Sequence, residues 1–230
     1  MRSCIGPLDG LYPANLHLLA DAPPLHCRGE LRPEDVRSVA VVGTRSPSPE
    51  GLSQARRLAA RLGREGVTVV SGLARGIDTA AHTASLDAGG RSIAVLGCGI
   101  DRVYPPENAE LAERLVVQGA VVSQHPPHTP PSAAALRSRN AVIAGLALAT
   151  VVAEAGPTSG ARIAARWTLA LGRPLLLTEL VAAEPWAAGL LPRPGVHVLR
   201  GGRVDALLAL LDGDAVSAPV QMTFVLAAPA

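Results

Sequence analysis

The chain has 230 residues, 48% hydrophobic but only 2% aromatic, so it can bury one sizeable aliphatic core, which suits a single α/β domain with a sheet covered on both faces. A formal charge of +2 is too small for the footprint of a strongly basic nucleic-acid-binding domain, so charge alone assigns no partner. Cys4, Cys27 and Cys98 are too few and too scattered for a disulfide framework or a zinc set, and no apolar run nears the ~18 residues of a membrane span.

Residues 1–35 are rich in proline, with Tyr12-Pro13 and Pro23-Pro24 as breakers, and read as an irregular lead-in packed on the domain. A domain over 36–213 follows, in which short β-branched runs at 39–42, 68–70, 93–96, 121–123, 150–153 and 175–178 alternate with amphipathic segments. Six strands separated by helices imply parallel crossovers, and so an extended Rossmann-like, doubly wound, mainly parallel sheet. The helix predicted at 49–64 puts Leu52, Ala55, Leu58, Ala59 and Leu62 on one face and Arg56, Arg57, Arg61 and Arg64 on the other, read as a solvated face. Further helices are predicted at 76–88, 108–117, 139–146 and 159–171, then a closing strand at 196–199 and a helix at 203–211. Residues 214–230 form a tail in which 220–226 could add an edge strand.

All the basic side chains except histidine are arginine, which a general bias toward Arg and Ala explains as simply as selection for phosphate contacts. His125 and His128 sit three apart with no regular metal spacing around them, so no metal and no cofactor are expected. The N-terminus lacks the basic segment and apolar core of a signal peptide, which makes the cytoplasm the expected location and a membrane partner unexpected.

Ligands of a doubly wound sheet bind beyond the carboxyl ends of its strands. The loops there are rich in glycine: Gly43-Thr44-Arg45-Ser46, Ser71-Gly72-Leu73-Ala74-Arg75-Gly76, Gly97-Cys98-Gly99-Ile100-Asp101-Arg102 and Glu154-Ala155-Gly156-Pro157-Thr158-Ser159-Gly160. Neither G-x-G-x-x-G with an acidic second strand end nor a lysine-bearing P-loop is present, which argues against a dinucleotide dehydrogenase and P-loop hydrolysis. What remains is glycines that let backbone N–H groups approach a ligand, with arginines close behind at helix starts, a chemistry that suits phosphates. The simpler alternative, that these are turn glycines only, weakens as they recur at successive strand ends.

At these loops the chain resembles the DprA/Smf family. Residues 39–51 (VAVVGTRSPSPEG), 71–82 (SGLARGIDTAAH), 94–108 (AVLGCGIDRVYPPEN), 137–147 (RSRNAVIAGLA) and 154–165 (EAGPTSGARIAA) match its blocks in order. The resemblance implies single-stranded-DNA binding without catalysis, a homodimer, and loading of the recombinase RecA on incoming DNA during natural transformation. It implies DNA-phosphate contacts at Arg45, Arg75, Arg137, Arg139 and Asn140, in a groove shaped by Gly43, Ser71, Gly72, Gly97 and Ser159. Arg75 has an equal alternative, an ion pair with Asp78. Asp78 and His82, one helical turn apart with no third partner, read as structural rather than catalytic. Glu154 reads as an acceptor of backbone or arginine hydrogen bonds.

The family's F-P-x-R-N-R string is here Ala135-Leu136-Arg137-Ser138-Arg139-Asn140-Ala141, which removes an aromatic on which a base would stack for ~1–3 kcal/mol. Restoring it by Ala135→Phe is expected to tighten binding. At this length the chain is expected to be a short form, without the family's N-terminal helical domain or C-terminal winged helix. Two other readings stay open: a nucleotide-binding enzyme or sensor of the LOG or lysine-decarboxylase-like type, and a degenerate paralogue that acts through dimerisation.

Overall fold

The computed structural model describes residues 2–202 and 204–213. Nine strands form one sheet: β1 Arg2–Ile5, β2 Leu25–Gly29, β3 Ser38–Gly43, β4 Thr68–Ser71, β5 Ser92–Val95, β6 Gly119–Ser123, β7 Ala149–Glu154, β8 Leu175–Thr178 and β9 Val196–Leu199. Their order is β1-β2-β6-β5-β4-β3-β7-β8-β9. From β3 to β9 neighbouring strands are parallel, while β2 joins β6, and β1 joins β2, in antiparallel register. The seven strands predicted within 36–213 are present. The segment 220–226 lies outside the described residues.

The chain starts the parallel sheet at its centre, winds outward through β4, β5 and β6, and then returns to lay β7 on the other side of β3. The connections after β3 and β7 therefore leave in opposite directions. This opens a crevice at the carboxyl edge, where doubly wound sheets hold ligands.

Alternation along each strand serves two helical layers. Val39 and Val41 pack against α1 (Pro49–Arg64), α2 (Ile77–Asp87) and α8 (Val204–Asp212), whereas Ala40 and Val42 face α4 (Ala133–Leu146) and α5 (Ala161–Ala170). Helix α3 (Ala109–Gln118) covers the β5–β6 side through Leu111, Ala112 and Leu115. Two one-turn helices, α6 (Glu179–Ala182) and α7 (Pro185–Ala188), follow β8. Helix α1 has the predicted bounds, and the Ser48 hydroxyl accepts the Gly51 amide at 3.0 Å to start it.

Two expectations are corrected. Helix α4 starts six residues before the predicted 139, where the Ser132 hydroxyl accepts the Ala135 amide at 3.1 Å. The small residues of that first turn carry no apolar period to reveal it. The lead-in is also not irregular, because its prolines flank β1 and β2 rather than interrupt them. It is fixed to the domain by polar bonds at the end of α4: Asn15 Nδ2 donates to Leu146 O at 2.7 Å, and buried Arg173 donates to Ala144 O, Gly145 O and Asn15 O at 2.7 Å each. A cation at a helix C-terminus also offsets the helix dipole, while burial pulls the Arg173 pKa down to about 10.

Among the described residues no helix is long and apolar enough to cross a membrane, and no group of His, Cys, Asp and Glu is placed to hold a metal. All three cysteines are free, with Cys27 and Cys98 buried and Cys4 exposed.

His82 of α2 is fully buried, its Nδ1 lying 2.8 Å from Ser92 Oγ. The Ser92 proton goes to Val69 O at 2.7 Å, so the imidazole must donate from Nδ1. Burial, reinforced by the positive charge of Arg139, depresses the His82 pKa to about 3. An unfolded chain therefore takes up a proton below pH ~6.5 that the folded chain refuses, and the His82 share of stability is lost as pH falls from there toward 3. Thermal midpoints measured from pH 7 to 4 should fall, and His82→Asn should flatten that fall at some cost in stability at pH 7. An unchanged slope in the variant would show that His82 does not carry the effect.

Candidate nucleic-acid interface

The crevice between the ends of β3 and β7 is a cleft of about 350 Å³, lined by Gly43, Thr44 and Arg45 of the first loop, Leu136, Arg139 and Asn140 of α4, and residues 158–161 at the start of α5. The N-terminus of α5 adds its partial positive charge to that of Arg45. A second cleft adjoins it, formed by Gly72, Ala74, Arg75, Tyr104, Pro105 and Leu136, with Arg45 common to both.

Arg139 builds this surface from below. It is 5% exposed, and its guanidinium donates to Gly72 O and, at 2.7 Å, to Val95 O, with Nη2 3.7 Å from the Asp78 carboxylate. One side chain thus ties α4 to the ends of β4 and β5 and to α2. Any Cβ on Gly72 would overlap this guanidinium, so the glycine there serves the path of Arg139. Gly97 plays a similar part, since its Cβ would fall 2.8 Å from Leu136 Cα and hold α4 off the sheet.

The turn after β4 is held from several sides. Leu73 is buried with φ at 57°, a conformation that costs a non-glycine residue ~1–3 kcal/mol unless its surroundings enforce it. Asp78 Oδ2 accepts the amides of Gly72 at 3.2 Å and Ala74 at 3.4 Å, while Asn108 Nδ2 donates to Leu73 O at 2.9 Å. Burial pushes the Asp78 carboxyl up and the Arg139 guanidinium down, and each partner draws the other back.

The first loop depends on Glu154. Its backbone carbonyl accepts the Thr44 amide at 2.7 Å, and its carboxylate accepts the Ser48 amide at 2.9 Å and the Ser48 hydroxyl at 3.0 Å. A Cβ at Gly43 would fall 2.7 Å from Ile77 Cβ, so glycine lets this loop close over α2. Ser71 acts from inside, donating to Val41 O at 2.6 Å, and Ser159 lines the cleft while accepting the Ala161 amide at 3.3 Å.

The arginines suggested by the sequence separate into different roles. Arg45 is exposed and, among the described residues, has no carboxylate partner. Arg75 is exposed but pairs with Glu107 rather than with Asp78, whose arginine partner is Arg139. Arg137 is exposed on α4 and lines neither cleft, so the expectation that it shares their groove is not met. Arg139 and Asn140 are buried in the wall. Ala135 is only 6% exposed, so a phenylalanine there would enter the core instead of offering a face to a base. Aromatic surface comes instead from Tyr104, which is 37% exposed beside Arg75 and Leu136 and which no period or spacing in the sequence singles out. Asp78 and His82 are both buried, and His82 bonds Ser92 rather than Asp78.

Residues 3–190 match the family model described as DNA recombination-mediator protein A. The Smf protein of Escherichia coli strain K12 is 40% identical over 186 residues, which are 80% of this chain and 50% of that protein. The Smf protein of Synechocystis is 40% identical over 70% of this chain and 42% of its own length, so the chain spans about half the length of the curated relatives it matches. The crystal structure of DNA processing protein A from Streptococcus pneumoniae superposes with a TM-score of 0.79 at 34% identity, covering 89% of this chain and 73% of that one. DNA processing protein A from Helicobacter pylori, described for its single-stranded-DNA binding mode, shares the fold with a TM-score of 0.80 at 24% identity, over 92% of this chain and 97% of that one. A family match over residues 3–190, most of the chain, makes this chain a member of the DNA recombination-mediator protein A family, the DprA/Smf proteins.

Proposed function

We propose that this chain binds single-stranded DNA through its phosphates along the carboxyl-edge groove, from Ser159 past Arg45 to Arg75 and Tyr104, and that it serves to load RecA on that DNA as a homodimer. The observation that carries the reading is Arg45, a guanidinium with no carboxylate partner among the described residues, where the two clefts meet. A groove made of strand-end loops, with no recognition helix, suits one flexible backbone better than a duplex. Binding rather than catalysis fits a site whose nearby titratable groups, Asp78 and His82, are buried in structural bonds. The family match and the single-strand-binding relative support the same reading.

Arg45→Ala should weaken binding to all single-stranded sequences by a similar factor, since a phosphate contact reads no base. The log-log salt slope should become shallower by roughly 0.7, the release expected for one phosphate on a single strand. Because Arg45 holds no ion pair among the described residues, the thermal midpoint should stay near that of the parent chain. Wild-type affinity and slope would remove Arg45 from the site.

Tyr104→Ala should cost about 1–3 kcal/mol in oligonucleotide affinity, while Tyr104→Phe keeps it, if the ring is the stacking face. Equal losses in both variants would assign the effect to the hydroxyl instead. The cleft volume of about 350 Å³ would also admit a small ligand, which favours the nucleotide-sensor reading as the competitor. A mononucleotide that raised the thermal midpoint as far as an oligonucleotide would support that competitor.

Loading is tested apart from binding. The purified chain should speed RecA filament formation on strands already covered by single-strand-binding protein. DNA binding without acceleration would leave a binding module that does not load.

A further inference from the structure

Resting on the single-strand reading above, we propose that the bound strand does not end at Tyr104 but continues into the groove between α1 and α2, where Arg56, Arg57 and Arg64 hold further phosphates. Two more clefts extend the surface in that direction. One of about 340 Å³ lies between the starts of α1 and α2, and a larger one of about 800 Å³ lies along α1 toward the end of α2 and the start of α8. Consecutive clefts share an arginine at each junction: Arg45 joins the first two, Arg75 the second and third, and Arg56 the third and fourth. The second of these is a shallow depression of about 10 Å³, so what links the clefts is the row of guanidiniums at Arg45, Arg75 and Arg56 rather than an enclosed channel.

The charges along α1 favour this over a merely solvated face. Arg61 is answered by Glu65 at 2.7 Å and Asp205 at 3.0 Å, and Asp87 on the opposite wall is occupied by Arg114 at 2.5 Å. Arg57 donates to the Ser53 hydroxyl at 2.7 Å and has no carboxylate partner among the described residues. Arg56 and Arg64 are exposed and have no carboxylate partner among the described residues. Arg56 and Arg57 are adjacent and Arg64 lies two turns further along α1, so an anionic strand would supply the counter-charge that these three lack among the described residues. From Arg56 to Arg64 the helix rises about 12 Å, the length of roughly three to four stacked nucleotides at ~3.4 Å each.

The extension makes affinity depend on strand length. Salt titrations with oligothymidylates of about 4 and about 16 nucleotides, near the ends of the range of single-strand site sizes, read it directly on the full chain. The double variant Arg56→Ala with Arg64→Ala should leave the short strand unaffected. It should make the salt slope for the long strand shallower by about 1.4, which is two phosphates at ~0.7 each. Arg56→Lys with Arg64→Lys should retain the slope at both lengths, which separates charge from any change in packing. An unchanged long-strand slope in the alanine variant would overturn the extension. Arg45→Ala measured alongside keeps the two proposals apart: if Arg45→Ala loses affinity and the double variant does not, only the extension fails, whereas indifference to Arg45→Ala removes the groove itself.

Discussion

A guanidinium buried beneath the carboxyl edge of the sheet holds the other groups of the site in place. Arg139 reaches from α4 to carbonyls at the ends of β4 and β5 and to a carboxylate on α2. Taking a charge out of water costs several kcal/mol, offset here by donation to two carbonyls and by the neighbouring Asp78. Removing one partner of such a buried pair typically costs ~3–5 kcal/mol, because the other is left uncompensated. The same Asp78 carboxylate binds the amides that keep Leu73 in its left-handed conformation, so the turn bearing Arg75 and the wall bearing Asn140 share one support.

The groove then divides its arginines by burial. Arg139 and Arg173 are internal cations that accept partners only from backbone and buried carboxylate, one at the site and one at the far end of α4. Arg45 and Arg75 stand on the loops so positioned and remain in solvent. Arg45 carries a charge with no carboxylate partner among the described residues, whereas the charge of Arg75 is answered by Glu107. Both line the cleft that also holds Tyr104 and Leu136.

Much of this was legible in the sequence, and the exceptions have physical causes. The parallel strands and α1 were readable because β-branched runs and a 3.6-residue apolar period follow from burial on two faces and on one face. The antiparallel strands β1 and β2 were not, since Arg2–Ile5 holds a single β-branched residue and Leu25–Gly29 none, among prolines. The glycine-rich loops marked the site, yet the reason for Gly72 lay in Arg139, 67 residues away, a contact that local sequence cannot express. For the same reason Asp78 could be matched to the arginine nearest in sequence, when its partner comes from α4. Ala135 carried the position of a family aromatic but not its exposure, and Tyr104 took a groove position only because the loop after β5 folds back over the turn after β4.

The central claim, that Arg139 supports the binding loops rather than meeting the strand itself, can be measured without DNA. Native-state hydrogen exchange on Arg139→Met, which keeps the aliphatic stem, should show faster exchange at the Gly72 and Ala74 amides that Asp78 holds, while the centres of β3 and β7 stay protected. Unchanged protection at Gly72 and Ala74, or an even loss across the whole sheet, would contradict the claim.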